Sequence, residues 1–477
     1  MSEQFSMDLP SDVLALLEIL NKNGYEAYVV GGCVRDALLN KKPHDYDICT
    51  SATPSQIKEA FRLAGYKTYD TGIKHGTISV NNNDELYEIT TFRIDGKYSD
   101  GRHPDNVTFT TNLIDDLSRR DFTINAMAYN NKVGLVDPFG GKKDLENKTL
   151  KCVGNPADRF KEDALRILRA ARLVSRYGFG FDIPTLKAME ESKTLLDLIA
   201  SERIQSEFSQ FLLSASPDVL DECRGIIVQF LPEVESTFEF PEDMYCHVKS
   251  LWRITIETID LLCEDIILRL TAMFQNIGRP STYTIQNGIP CFPGYCEKTV
   301  EMTDAALTRL KFDNTTKRNV LDILKYQDKP ITKDPAVLKA VMNKIGVENT
   351  TRLVRLLTAN TLAYKKVRTR DGRSEEEFNK ETQQIDEKIR KLYQTDSKIC
   401  EIVANGECYR LKDLAVNGND IISIGIPEEK DVGIVLNALL KDVLKHPEHN
   451  SKEILMDRAE KEIERLELSR TENFSLF

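Results

Sequence analysis

No stretch of the 477-residue chain approaches the run of about 18 apolar residues that a membrane-spanning helix requires. The opening MSEQFSMDLPSD lacks a basic segment followed by an apolar core, so no secretory signal is expected. A disulfide framework or a zinc ribbon is equally unsupported. The ten cysteines are scattered and none forms a CxxC pair, which fits reduced thiols and a cytoplasmic setting. An excess of positive charge is missing too: Lys and Arg number 64 against 75 Asp and Glu, a formal net charge of −11. That argues against a general DNA-coating role and leaves room only for a localised basic groove. There is no internal repeat of fixed period and no long low-complexity tract. What is present, 41% hydrophobic and 29% charged residues, is the composition of a soluble globular protein. At about 150 residues per domain the length suggests roughly three domains.

The first 150 residues mix short β-type runs with turns. Strands are expected at 28–30, 46–49, 77–80, 86–92, 107–110 and 133–136, and helices at 11–22, 34–40, 54–64 and 113–119. This is an α+β head with a mixed sheet. Beyond Gly154 helical periodicity dominates to the C-terminus, divided near 215 and again near 365. The expected organisation is therefore a head (1–150), a neck (151–215), a helical body (216–364) and a helical tail (365–477). Positive charge gathers in two places. Ten Lys or Arg stand against five acids between Lys142 and Arg176, and Lys365, Lys366, Arg368, Arg370 and Arg373 face only Asp371. A solvated helix face is the plain reading of the second cluster.

Four motifs carry chemistry. In VVGGCVRDALLN a strand ends at Val30, and Gly31 and Gly32 allow a ligand to approach the backbone. A helix follows whose free N–H groups favour phosphate, with Arg35 in its first turn. Asp45 and Asp47 in HDYD lie two apart, which on a strand sets both carboxylates on one face. Such a pair is what Mg²⁺ needs to bridge nucleotide phosphates. Glu88, in ELYEITTF, is either a third carboxylate or a strand residue on the rim. In LSRRDFTINAMAYN, Arg119 and Arg120 stand beside Asp121 ahead of an expected small apolar helix, an arrangement suited to a phosphate or sugar, or to plain helix capping. Finally RFKEDALRILRAARLVSRYG, read as one helix, presents Asp163, Arg166 and Arg169 over about 120° of its surface with Arg172 opposite. An Asp–Arg pair has a specific use. A carboxylate accepts from the exocyclic amine of cytosine or adenine while a guanidinium donates to the neighbouring ring nitrogen. Guanine and uracil present the reversed pattern and leave both groups unpaired, at about 1–3 kcal/mol each.

Taken together, GGCVRDALLN with HDYD, RRDFTINAMAY with DPFGG, EDALRILRAAR and ASERIQSEFSQFL resemble the class II nucleotidyltransferases, the bacterial CCA-adding tRNA nucleotidyltransferases and their poly(A) polymerase relatives. These stretches cover residues 28–212 in the family's order, and LAVNGNDIISIGIP (414–427) is similar to a segment of the family's tail. The resemblance implies addition of C, C and A to tRNA 3′ ends from CTP and ATP, with tRNA as partner. It implies that Asp45 and Asp47 are catalytic and bind Mg²⁺, and that Gly32, Arg35 and Arg120 contact the nucleotide. Asp163 and Arg166 would read the base, with Arg169 and Arg172 completing the pocket. The loop from Arg93 to Asp105 and the TGIKHGTISV stretch (71–80) look more like the CCA enzymes than an enzyme adding only C, or a poly(A) polymerase, respectively. An A-only adding enzyme or a poly(A) polymerase remains the alternative, and a monomer or a homodimer is left open.

The body departs from a further pattern. YCHVKSLWRIT and LRLTAMFQNIGRP resemble the HD phosphohydrolase module fused to some of these enzymes. Where that module needs His and Asp ligands, this chain has Ile254, Gln275, Asn276, Cys291 and Tyr295, with His247 nearly alone. Amides replace anionic metal ligands poorly, so a scaffold that has lost the hydrolase chemistry is expected.

Overall fold

Ala27–Val30 form β1, where Tyr28 and two valines suit a covered pleated surface. In the computed structural model, which describes residues 5–83, 85–96, 106–240, 250–287, 289–369, 374–425 and 429–474, β1 lies inside a seven-stranded mixed sheet. With β2 (Ile48–Thr50), β3 (Lys67–Gly72), β4 (Thr77–Asn82), β5 (Glu85–Thr91), β8 (Ala128–Asn130) and β9 (Gly134–Val136), its order is β3-β4-β5-β2-β1-β8-β9. β6 (Arg93–Asp95) and β7 (Val107–Phe109) form a separate ribbon. Every neighbouring pair in the large sheet is antiparallel except β2 and β5, which run parallel with Ile48 opposite Ile89.

The chain divides into two compact units, at Pro232 and Glu233. In the first, α1 (Ser11–Lys22) and α3 (Pro54–Leu63) pack against the sheet. α1 buries Val13, Leu16, Leu17 and Leu20, the i, i+3, i+4, i+7 stripe of an amphipathic helix. α3 starts at a capping box between Thr53 and Gln56, with Pro54 in its first turn. Another core cluster joins Tyr28, Val30, Cys49 and Ala128 of the strands to Leu113 and Leu117 of α4 (Leu113–Ser118). Then come α5 (Gly141–Glu146), β10 (Thr149–Leu150), which pairs in parallel with β11 (Gly180–Phe181), and helices α6 (Pro156–Glu162), α7 (Leu165–Tyr177), α8 (Ile183–Ser192), α9 (Ser201–Ser214), α10 (Pro217–Glu222) and α11 (Arg224–Phe230). α7 packs along α9.

Among its described residues the second unit is helical apart from the hairpin β12 (Thr284–Gln286) and β13 (Ile289–Cys291). It comprises α12 (Leu251–Asp260), α13 (Ile266–Phe274), the short α14 (Arg279–Thr282), α15 (Tyr295–Arg309), α16 (Asn314–Tyr326), α17 (Pro335–Val367), α18 (Glu375–Ala404), α19 (Gly418–Ser423), α20 (Glu429–Lys445) and α21 (Lys452–Phe474). α17 is two helices meeting at Gly346, whose φ of 81° no helix accommodates. Val435, Leu439, Val443, Leu455 and Ala459 of α20 and α21 build the core at the C-terminal end. Among the described residues no helix is long and apolar enough to cross a membrane. The four-part organisation drawn from the sequence is finer than these two units.

Three local expectations change. β2 begins at Ile48, so Asp45 and Asp47 precede the strand, although Val30 N still donates to Asp47 O at 3.0 Å and carries the ladder that far. The apolar helix expected after Asp121 is a 3-10 turn, Thr123–Asn125, followed by strand β8, because Ala128 and Tyr129 pair with β1. Long-range pairing overrides the helical preference of an Ala–Met–Ala run here. The helix expected through Asp163 is broken at that residue, which is extended (φ −144°, ψ 103°) between α6 and α7. Its carboxylate accepts from Leu165 N at 3.0 Å and so satisfies a free N–H at the start of α7.

Candidate active site

The turn after β1 is made by Gly31, at φ 80° and ψ −124°, a conformation that L side chains avoid. A Cβ there would also come within 3.0 Å of Arg120 Nη1. The glycine therefore lets Arg120 lie against the turn, next to the carboxylates. α2 (Gly32–Leu38) starts two residues earlier than expected, and Gly32 lies under the Arg35 guanidinium. Asp45 and Asp47 both reach solvent. Partial burial nevertheless raises the Asp47 carboxyl above its usual range; Arg120 opposes this and the charge of Asp45 adds to it. Two mutually repelling carboxylates and one nearby arginine leave room for a cation, so this donor set fits a divalent metal. The parallel register, carried one residue back from Ile48 and Ile89, sets the exposed Glu88 in line with Asp47 on the same face.

Arg120 is held beside this pair by Asp116. Its Nη2 lies 3.4 Å from Asp116 Oδ2, and its buried Nε makes no hydrogen bond. Asp116 is fully buried and also binds Arg119 at 2.8 Å. Burial acts to raise its carboxyl, but Arg119 and Arg120 outweigh that and lower it. The next residue, Asp121, is the hub. Its Oδ2 takes two N–H donors from Arg169, at 2.9 and 3.1 Å, and its Oδ1 accepts from Asn125 at 3.1 Å. Burial pushes this carboxyl upward, yet Arg169 and the Asn125 hydrogen bond prevail and hold it at about 2. Asn125 Oδ1 in turn accepts from Arg35 at 2.6 Å. Arg35 is itself buried, pairs with Asp36 at 3.0 Å, and lies 4.7 Å over the ring of Tyr177, whose hydroxyl donates to Asp36 at 2.8 Å. Arg169 and Arg172 converge on Glu207 of α9, at 3.8 and 3.2 Å. Burial lowers the Arg172 pKa, against the pull of Glu207.

Asp163 and Arg166 do not pair with each other. Asp163 Oδ2 holds Arg203 of α9 at 3.2 Å, while Arg166 binds Glu162 at 2.7 Å and donates to Arg119 O at 3.3 Å. The residues expected to form the site thus lie on one chain of contacts, from Asp47 through Arg120 and Asp121 to the α6–α7 break. Asp116, Asn125, Tyr177, Arg203 and Glu207 are members of it that sequence reasoning did not assign. Arg203 and Glu207 lay within the quoted ASERIQSEFSQFL, and their four-residue spacing on one helix was the available signal.

In the second unit the basic cluster looks different from its sequence. Lys365 pairs with Asp386, Lys366 with Glu257 at 2.5 Å, and Arg368 with Glu381 at 2.9 Å; Arg370 and Arg373 lie outside the described residues. These charges are spent largely within the unit. A cavity of about 600 Å³ between residues 327–333 and α18 is instead lined by Lys329, Lys333, Lys388 and Lys391, against Asp328. Gln275 and Asn276 are buried; Asn276 donates to Thr255 at 3.2 Å, and no cluster of His, Asp, Glu or Cys forms around them among the described residues. His247 and residues 97–105 of the expected loop lie outside the described residues.

Known proteins resemble the chain in sequence and in fold. A family model described as the poly A polymerase head domain matches residues 27–151, and one described as the probable RNA and SrmB-binding site of polymerase A matches 178–237. The CCA-adding enzyme of Pediococcus pentosaceus is 48% identical over 265 residues, 54% of this chain and 66% of its own. That of Enterococcus faecalis is 50% identical over 197 residues, 41% of this chain and 48% of its own. These matches span about half to two thirds of the relatives' length. The CCA-adding enzyme of Ligilactobacillus salivarius matches along 94% of this chain and 96% of its own, at 32% identity. Among solved structures, Bacillus stearothermophilus CCA-adding enzyme in complex with CTP superposes with a TM-score of 0.68 at 25% identity, covering 96% of this chain and 98% of that one. Thermotoga maritima CCA-adding enzyme complexed with tRNA shares the fold, with a TM-score of 0.57 at 19% identity over 95% of this chain and 96% of that one.

Proposed function

The chain belongs to the family of CCA-adding enzymes, and on that footing we propose that it adds C, C and A to the 3′ end of tRNA from CTP and ATP, without a template. The observation that carries this reading is the continuity of the site: Asp47, Arg120, Asp121 and Arg169 are linked within one compact unit, and Asp163 lies at the helix break beside them. The terminal ribose oxygen attacks the α-phosphorus of the nucleotide, and the bond to the departing pyrophosphate breaks. No side-chain nucleophile is needed, so positioning and charge neutralisation do the catalysis.

Nucleotidyltransferases of this family use a divalent metal, and we assign Asp45 and Asp47 as its ligands and Mg²⁺ as the ion. When bound it supplies positive charge at the α-phosphate and at the leaving oxygens. Arg120, with its unpaired Nε, would contact the triphosphate, and the open backbone at Gly31 and Gly32 lets that group approach. Arg35 is locked by Asn125 and Asp36, so it orients the turn as much as it contacts the nucleotide. Base reading falls to Asp163 and Arg166. Each already has a protein partner, Arg203 and Glu162, so the incoming cytosine or adenine must exchange for these contacts. Arg169 and Arg172, held by Asp121 and Glu207, would form the pocket wall. The lysine-lined cavity of the second unit supports tRNA as the partner, since shape and phosphate contacts suffice to hold a folded RNA. A cytoplasmic setting follows from this role.

The test is extension of a tRNA lacking its terminal CCA, with one nucleotide at a time. CTP alone should extend the end by C and C and then stop, and ATP should add A only afterwards. Addition of A directly to the trimmed end would overturn the reading in favour of an A-only enzyme. In Asp45→Ala incorporation should vanish while tRNA binding, followed by gel shift, persists; an active variant would remove the metal assignment.

A further inference from the structure

The segment His446-Pro447-Glu448-His449 forms a 3-10 turn between α20 and α21, remote in sequence from every residue assigned above. Its backbone is held without help from a ligand. His446 N donates to Asp442 O and His449 N to His446 O, both at 2.9 Å, and Ser451 N donates to His449 O at 2.8 Å. Pro447 fixes one more torsion. Three side chains converge over this turn. Glu448 Oε1 lies 3.5 Å from His446 Nδ1 and 3.9 Å from His449 Nε2, and all three donor atoms lie within 4.8 Å of one another. Donors bound tetrahedrally at about 2.0–2.1 Å stand about 3.4 Å apart, so rotation of the exposed His446 and Glu448 side chains closes the remaining gap to the half-buried His449.

A further contact points to metal ligation. His449 Nδ1 meets Asp442 Oδ2 at 2.9 Å, and Asp442 Oδ1 is held by Arg458 Nη1 at 2.8 Å. A carboxylate behind an imidazole places the proton on Nδ1, orients the ring, and leaves the Nε2 lone pair facing Glu448. One contact competes: Arg458 Nη2 lies 3.4 Å from the same Nε2. An ion must take over that lone pair while Arg458 stays tied to Asp442.

We propose that His446, Glu448 and His449 form a binding site for a borderline divalent cation of the Zn²⁺ class, separate from the carboxylates of the head. Two imidazole nitrogens and one carboxylate suit Zn²⁺, Ni²⁺ or Cu²⁺, whereas Mg²⁺ prefers oxygen alone. The turn joins the helices that carry Val443, Leu455 and Ala459 of the C-terminal core, so the ion clamps that core from outside.

The test uses the full, untagged chain carrying Asp45→Ala and Asp47→Ala, which silences the head carboxylates. Zn²⁺ and Co²⁺ are titrated by calorimetry and visible absorption. One equivalent should bind, the Co²⁺ form should show the ligand-field bands of a nitrogen- and oxygen-bound ion, and Zn²⁺ should raise the unfolding temperature. His446→Gln with His449→Gln should weaken binding at least about tenfold, and the exposed Glu448→Gln should weaken it without touching the core. Arg458→Gln should tighten binding several-fold by freeing Nε2. Unaltered binding in the double histidine variant, no bound equivalent in the parent, a cobalt–thiolate charge-transfer band, or an Arg458→Gln affinity no better than the parent would each overturn the assignment.

Discussion

At Asp121, a buried carboxylate is kept ionised by Arg169 and Asn125. Its pKa of about 2 lies below the unfolded value of about 3.9. A depressed pKa contributes stability that is present above the unfolded value and is lost as pH falls through the folded one. Asp121→Asn should therefore cost about 2–4 kcal/mol at neutral pH. The gap between variant and parent should hold from pH 8 to about 4 and close towards pH 2, as checked by urea titrations across that range. Asp45 and Asp47 could be read from the sequence because their spacing is local. Asp121 was seen only as a neighbour of paired arginines, because its partner Arg169 is 48 residues away; Tyr177 and Asp36 are 141 apart. Long-range partners of this kind leave no periodic trace.

At the scale of elements, the Gly31 turn and the break at Asp163 matter most. Gly31→Ala forces a side chain into a positive-φ conformation that only glycine adopts readily, at about 1–3 kcal/mol, and presses Arg120 away from the carboxylates. The expected outcome is a modest fall in the urea midpoint with a rise in KM for CTP and ATP, measured in the extension assay. Turn, β1 and α1 were legible because glycines, β-branched residues and a clear apolar stripe mark them. The break at Asp163 was not, since EDALRILRAAR keeps helical spacing on both sides and a side-chain cap needs no change of period. β3 also escaped notice: KTYDTG is mostly exposed at the sheet edge and lacks apolar alternation.

The whole molecule carries a charge of −11 and still has to hold a polyanion, so its cations must be concentrated. Much of the 365–373 cluster is neutralised internally, and Lys391 pairs with Glu387 at 3.0 Å, which leaves Lys329, Lys333 and Lys388 as the better-placed set. Lys333→Glu with Lys388→Glu should weaken tRNA binding and flatten its dependence on salt concentration, without changing KM for nucleotide. Gel shifts at several salt concentrations read the first two effects. The division at Pro232 gives each unit its own core, so calorimetry should resolve two unfolding transitions. CTP with Mg²⁺ should raise only the one belonging to the first unit.

The parallel pairing of β2 with β5 has a kinetic consequence. Ile48 and Ile89 are joined through α3 and the β3–β4 hairpin, so this contact closes a long loop. The acidic edge that begins at Asp45 is then complete only after the chain has been synthesised well past residue 91. A ribosome-bound fragment that ends before β5 cannot set Glu88 beside Asp47, so the candidate metal-binding edge must wait for this long-range pairing.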